Sequence, residues 1–278
     1  TKLELGLKMV KRAQANGLPF ERLACDTLYG RDHDFRADLN SENVRYAAQV
    51  PSNTHVYLRE PKVGIPSQRN HTGRPYTRSR VLSRSPSREV RALTKSGQTQ
   101  WQHVRVRPAE RGWVEADFAV VRVWTVPEQH APQAEWLVIR REANGQCTYT
   151  LLNDPEDTSV TTLIHSSCLR YFCERTFEDA KTEIGWAEFQ AQKYRAWEHH
   201  LALTALSLWF VAQTKLEWAQ TYARDPELLN QFELQVLPAL STANVRTMLM
   251  AVLPLSDLTP ERAADQVVAH LVNRARST

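Results

Sequence analysis

Two stretches of this sequence carry side chains whose types and spacing could do chemistry. In the first, the short apolar run Leu23-Ala24-Cys25 ends on a carboxylate, Asp26, and the chain turns at Tyr29-Gly30. In the second, Leu163 to Gly185 reads as a helix. With Glu174 set at zero and about 100° per residue, Lys181 lies near about −20°, Arg170 near about −40° and Ser167 near about +20°. Glu174 therefore sits in one polar stripe between two cations. Beside it runs an apolar face of Leu169, Phe172, Cys173, Thr176, Phe177, Ala180 and Ile184, which is expected to be buried. Carboxylates on rigid elements are the side chains that ligate hard divalent cations. The plainer alternative for Glu174 is an i,i+4 ion pair with Arg170 on a solvated face, worth a few tenths of a kcal/mol.

The elements that must position these groups follow from local pattern. Leu3, Leu7 and Val10 space a first helix that Asn16-Gly17 ends. Residues 22–26 read as a strand, 34–39 as a short helix, and 44–50 as a second strand stopped by Pro51. Strands are expected within 55–58, 102–107, 118–124, 135–140 and 147–151, with Asn144-Gly145 as the hairpin turn between the last two. Helices are expected over 160–184 and 196–222, and shorter ones beyond. The fold class is α/β. The segments are 1–52, a strand-helix-strand unit; 53–158, a β-rich unit with a long Arg/Ser/Pro loop; 159–222, helices; and 223–278, a helical tail.

Charge is unevenly spread. The chain has 278 residues and a net charge of +4, with 42% hydrophobic and 24% charged residues, so wholesale disorder is excluded. Residues 59–111 hold thirteen basic and three acidic side chains, a net +10, which leaves −6 for the rest. A cationic segment in an otherwise mildly anionic chain points to a polyanion, most often nucleic acid. A solvated basic loop with no partner is the alternative. The longest apolar run, Leu201 to Ala212, is too short to cross a bilayer, so no membrane role is expected. Cys25, Cys147, Cys168 and Cys173 lack zinc-finger spacing and read as small buried hydrophobes in a reducing compartment. Adjacent helical positions keep His199 and His200 from chelating together, so helix packing or one DNA contact is expected of them. Trp186, Trp197, Trp209 and Trp218 read as core or helix-packing residues, and core packing is also the plainer reading of Trp101 and Trp113.

Arg170-x3-Glu174-x6-Lys181 resembles part of the Tyr-Arg-Glu-Lys motif of DDE transposases of bacterial insertion sequences. Asp26-Thr-Leu-Tyr29-Gly30 resembles the strand-ending second Asp of that family, and Val50-Pro51-Ser52-Asn53-Thr54 the end of its next strand. Trp197-x-His199-His200-x-Ala202-Leu203 is similar to the helix after the Glu helix, and the order of elements over about residues 1–222 is the family's. The resemblance implies a partial ribonuclease H-like core, interrupted by a β-rich insertion and followed by C-terminal helices. It implies Asp26 and Glu174 as catalytic carboxylates and metal ligands, with two Mg²⁺ (or Mn²⁺) ions in the intact enzyme. It implies DNA as partner, both transposon ends and target, with a homodimer on DNA and a cytoplasmic, nucleoid-associated bacterial location. Arg170 and Lys181 would contact phosphates near the cut. Arg74, Arg78, Arg80 and Arg84 would track the backbone, and Trp101 or Trp113 could stack on an unpaired base.

Two departures stand beside the likeness. Ser167 occupies the place of the motif's Tyr. The family's first Asp lies on a strand before any residue here, so the chain is expected to be N-terminally truncated and impaired in cleavage. A non-catalytic DNA-binding remnant and a basic protein-interaction module are the competing expectations.

Overall fold

In the computed structural model, helix α1 (Lys2–Ala15) opens the chain with a reciprocal cap: the Thr1 hydroxyl accepts from the Glu4 amide, and the Glu4 carboxylate receives the Thr1 amino group. The structure describes residues 1–66, 76–82, 84, 86–97, 99–109, 112–128, 130–190, 192–223, 225–231, 239–252 and 268. Gly17, at φ +69°, lets the chain leave α1. The described chain divides into two units, Thr1–Cys173 and Glu174–Thr278.

The first unit is built on one sheet. Strand β1 (Leu23–Cys25) leads through α2 (Thr27–Gly30) and α3 (His33–Ser41) to β2 (Tyr46–Val50). The basic stretch then makes small pairs where a long loop is expected from sequence. In these, β3 (His55–Val56) pairs with β6 (Arg88–Glu89), and β4 (Val63–Gly64) with β5 (Arg80–Val81). After α4 (Val90–Leu93) come β7 (Trp101–Ala109), β8 (Gly112–Thr125), β9 (Gln133–Arg141) and β10 (Cys147–Leu152). The six-stranded order is β1-β2-β10-β9-β8-β7; β1 and β2 are parallel and the other neighbours antiparallel. Gly145, at φ +81°, makes the tight turn between β9 and β10 that Asn144-Gly145 foretells.

Alternation along the strands sorts the core onto two faces. Tyr46 and Ala48 of β2 pack with Phe35, Leu39 and Val10 under α1 and α3. On the same side, Val50, Leu137, Ile139 and Val123 pack with Val90 and Leu93 of α4. Ala47, Phe118, Val138 and Leu152 face the other way, against Leu163, Ile164 and Cys168 in and just after α5 (Val160–Ser167). A buried fork between Arg22 and Asp154, with N–O distances of 2.5 and 2.7 Å, ties the approach to β1 to the residues that follow β10.

The single helix expected over 160–184 is broken. The Ser167 hydroxyl donates to the Ile164 carbonyl at 2.6 Å, and the Cys168 amide turns to His165 instead. A side chain competing for a backbone acceptor is what ends a helix in this way. The chain restarts as α6 (Arg170–Thr182), which begins in the first unit and continues in the second.

The second unit adds a 3₁₀ turn at Trp186–Glu188, the long α7 (Tyr194–Glu217) with a π turn at Trp218–Tyr222, α8 (Pro226–Gln231) and α9 (Thr242–Val252). The fold is α/β, a partial ribonuclease H-like core interrupted by a β-rich insertion and followed by C-terminal helices.

Candidate active site

Asp26 stands where β1 ends and α2 begins. Its Oδ1 caps α2, accepting from the Leu28 amide at 2.9 Å and the Tyr29 amide at 3.4 Å. Oδ2 takes no part in that cap. The Tyr29-Gly30 pair has a packing role of its own. The Tyr29 ring lies 5.4 Å from Phe35, and a Cβ on Gly30 would come within 2.0 Å of the Gln49 carbonyl oxygen. Only glycine lets α2 lie this close to β2.

The register then defines what shares the strand end with Asp26. Cys25 pairs with Ala48, so the next row holds Asp26 and Gln49. Cys25 and Ala48 both face α1 and α3. Alternation turns Asp26, in extended backbone, and Gln49 to the opposite face. On that face the Arg170 guanidinium donates to the Gln49 Oε1. Asp26 and Arg170, far apart in sequence, thus occupy the same end and the same face of two neighbouring strands.

Beneath α2 lies a polar network that the sequence reading did not foresee. Arg36 and Glu135, 1% and 0% exposed, are paired with Nε–Oε1 at 2.9 Å. Tyr46 Oη donates to Glu135 Oε1 at 2.6 Å, and Gln133 donates to Tyr46 Oη at 2.6 Å. Thr125 donates to the other Glu135 oxygen. Arg36 also donates to the Gly30 carbonyl and, at 3.2 Å, to that of Asp32. The guanidinium therefore fastens the exit of α2 to strand β9. Burial acts to raise the Glu135 carboxyl, but Arg36 and the hydrogen bonds outweigh it and hold the group below its ordinary value. Burial and the Glu135 charge push the Tyr46 hydroxyl well up. One signal was available: Glu135 has the inward parity of Leu137 and Ile139 in its own strand.

Glu174 and Lys181 are exposed on α6 within the second unit. Most of the apolar face expected beside them is not buried: Phe172 and Phe177 are more than half exposed, while Ala180 of that face is buried together with Asp179. The anchor on the inner side of this helix is polar. Arg78, Arg80 and Arg84 are exposed, and Arg80 lies 5.5 Å from the Tyr76 ring. Arg74 lies outside the described residues.

The aromatic and sulfur side chains need some correction too. Trp101 packs beside the core, with the Arg141 guanidinium over its ring at 4.0 Å. His200 stacks on Phe189 at 4.6 Å, as helix packing requires. Trp197 and Trp209 are exposed rather than core. Of the cysteines, Cys25 and Cys168 are buried, Cys147 is half-buried and Cys173 is exposed. Burial, with the Asp26 charge second, pushes the Cys25 thiol up to about 12.

Among the described residues no group of three or more His, Cys, Asp or Glu side chains is arranged to hold a metal ion. No helix among them is long and apolar enough to cross a membrane. Carboxylates are the side chains whose type suits a hard cation, and Asp26 and Glu174 are two of several described at element ends or on exposed faces.

Residues 1–112 match the family model described as DDE superfamily endonuclease. The match covers Asp26, Tyr29-Gly30, Gln49 and the basic stretch, and it ends before α5 and α6. It supports a DDE transposase or nuclease in general terms. No curated protein matches the chain.

Proposed function

We propose that this chain is part of a DDE transposase of the insertion-sequence type, acting on DNA. The observation that carries the reading is the shared strand end. Asp26 closes β1 in the row of Gln49, and Gln49 holds Arg170, the first residue of the Arg170-Glu174-Lys181 motif. A carboxylate and a cation converge there from separate parts of the sequence, inside a fold of the matching type.

In this reading Asp26 and Glu174 are the metal-holding carboxylates, and Mg²⁺ or Mn²⁺ would supply charge stabilisation for in-line attack on a phosphodiester. The donor types fit, since hard cations take carboxylate oxygens. Arg170 and Lys181 contact phosphates near the scissile bond and fix the strand. Arg78, Arg80 and Arg84 hold the DNA backbone farther away. A non-catalytic DNA-binding remnant is the second reading, favoured by Ser167 standing in place of the motif's Tyr.

The test is nicking of a supercoiled plasmid with Mg²⁺ or Mn²⁺, comparing the chain with Asp26→Asn and Glu174→Gln. Metal-dependent nicking lost in both variants supports the enzyme. Nicking indifferent to both substitutions sinks it. Salt-sensitive DNA binding with no metal effect selects the remnant.

A further inference from the structure

Within the second unit, α6 is fastened by its back. The Thr242 hydroxyl, at the start of α9, donates to Asp179 Oδ2 at 2.5 Å and accepts from Lys215 Nζ of α7 at 2.7 Å. Lys215 Nζ itself lies 3.7 Å from the same carboxylate, and Arg175 Nε is 2.9 Å from its other oxygen. Four residues farther along, Arg246 of α9 pairs with Glu183, the residue just past the end of α6, at 3.2 Å. The two rungs, Thr242 to Asp179 and Arg246 to Glu183, have the same sequence separation of 63 residues. Helices α6 and α9 therefore run in the same direction and in a fixed register. Asp179 and Thr242 are 6% and 3% exposed, so this rung is a desolvated anchor, while the Arg246–Glu183 pair lies at the surface.

The rungs fall on a particular side of α6. Measured from Glu174, Asp179 lies about 140° round the helix, Ala180 about −120° and Glu183 about 180°. Lys181 shares the face of Glu174. The clamp thus grips the side opposite Glu174 and Lys181.

We propose that Thr242 and Arg246 are positioning residues for Glu174 and Lys181: the tail helix α9 sets the rotation and order of α6 so that these two side chains are held outward together. The functional part of this inference rests on Glu174 being the metal-holding carboxylate proposed above. A hydroxyl suits the junction because it can donate to the carboxylate and accept from the ammonium at once. The tail beyond residue 222, which bears no resemblance to a known motif, thereby acquires a task.

The experiment uses the full chain and three variants, Thr242→Val, Thr242→Ser and Glu174→Ala. Amide hydrogen exchange is followed by mass spectrometry over residues 174–183, with β8 and β9 as the internal reference, and Mn²⁺ affinity is read by electron paramagnetic resonance. Valine keeps the shape of Thr242 and removes the hydroxyl. It is expected to raise exchange over α6 by about tenfold or more. It should also weaken Mn²⁺ binding several-fold, leaving β8 and β9 as they were, and serine should restore both readouts. Unchanged α6 exchange in Thr242→Val, or failure of serine to restore it, overturns the clamp. Raised exchange together with Mn²⁺ binding that is the same in wild type and Glu174→Ala upholds the clamp and removes only the metal role of Glu174.

Discussion

Arg170 donates to the side-chain oxygen of Gln49, one strand away from Asp26 and in the same row. The guanidinium thus approaches the strand end through a neutral acceptor. An arginine suits a phosphate contact, because its planar guanidinium can bind phosphate oxygens bidentately. Arg170→Ala is expected to weaken DNA binding and to reduce the slope of log affinity against log salt by about one. Gln49→Leu, which keeps the volume and removes the acceptor, should change the slope in the same direction by a smaller amount. Fluorescence anisotropy on a duplex across a salt series measures both. A slope unaltered by Arg170→Ala would remove this residue from the interface.

Gly30 offers a sharper steric test. A Cβ there would meet the Gln49 carbonyl at 2.0 Å, and backbone cannot swing aside as a long side chain can. Gly30→Ala must push α2 off β2 and disturb the cap at Asp26. The expected destabilisation is on the order of 1–3 kcal/mol, the usual cost of overpacking. Urea unfolding gives the value, and a wild-type midpoint would show that α2 does not lie so close to β2.

Much of this arrangement could be read from the chain itself. Leu23-Ala24-Cys25 forms the expected strand because three small or apolar residues end at a capping Asp, and Asn144-Gly145 turns where its dipeptide says. These are local choices, settled by residues a few positions apart. Gln49 was not legible as a partner of Arg170, since its role arises only when residues 121 apart in sequence meet. The same holds for Arg36 and Glu135, whose pairing depends on α3 meeting β9. For α6 the pattern misled: its phenylalanines suggested an apolar inner face, whereas the helix is anchored through Asp179. Periodicity reports which residues share a face, and it does not say whether that face is held by apolar packing or by a buried charge.

The Arg36–Glu135 pair makes stability depend on acid. Glu135 is held below its ordinary value of 4.5 in the folded chain, so the stability it contributes is complete above about that pH and is lost as pH falls through the lower, folded value. Unfolding midpoints measured between pH 7 and pH 3 should therefore drop most steeply below pH 4.5, the unfolded reference. Glu135→Gln leaves the buried guanidinium without a counter-charge and is expected to cost about 3–5 kcal/mol. The double variant Arg36→Met with Glu135→Leu removes both charges and should recover most of that loss. If Glu135→Gln unfolds at the wild-type midpoint, the pair contributes nothing to the brace under α2.

The cysteines separate the neighbourhood of Asp26 from the surface of α6. Cys25 is buried on β1, and its thiol is pushed up to about 12 by burial and by the adjacent Asp26 charge. At pH 8 almost none of it is thiolate, the species that reacts. Cys173 is exposed on α6. Brief treatment of the native chain with a maleimide at pH 8, followed by peptide mass spectrometry, should label Cys173 and leave Cys25 unmodified. Denaturant should bring Cys25 to the same rate as Cys173. In the Asp26→Asn variant the charge that raises the thiol is gone while the burial remains, so Cys25 should gain a little reactivity and still lag far behind Cys173. Equal labelling of the two residues in the native chain would place Cys25, and with it the strand that carries Asp26, at the surface, and the shared row with Gln49 would have to be abandoned.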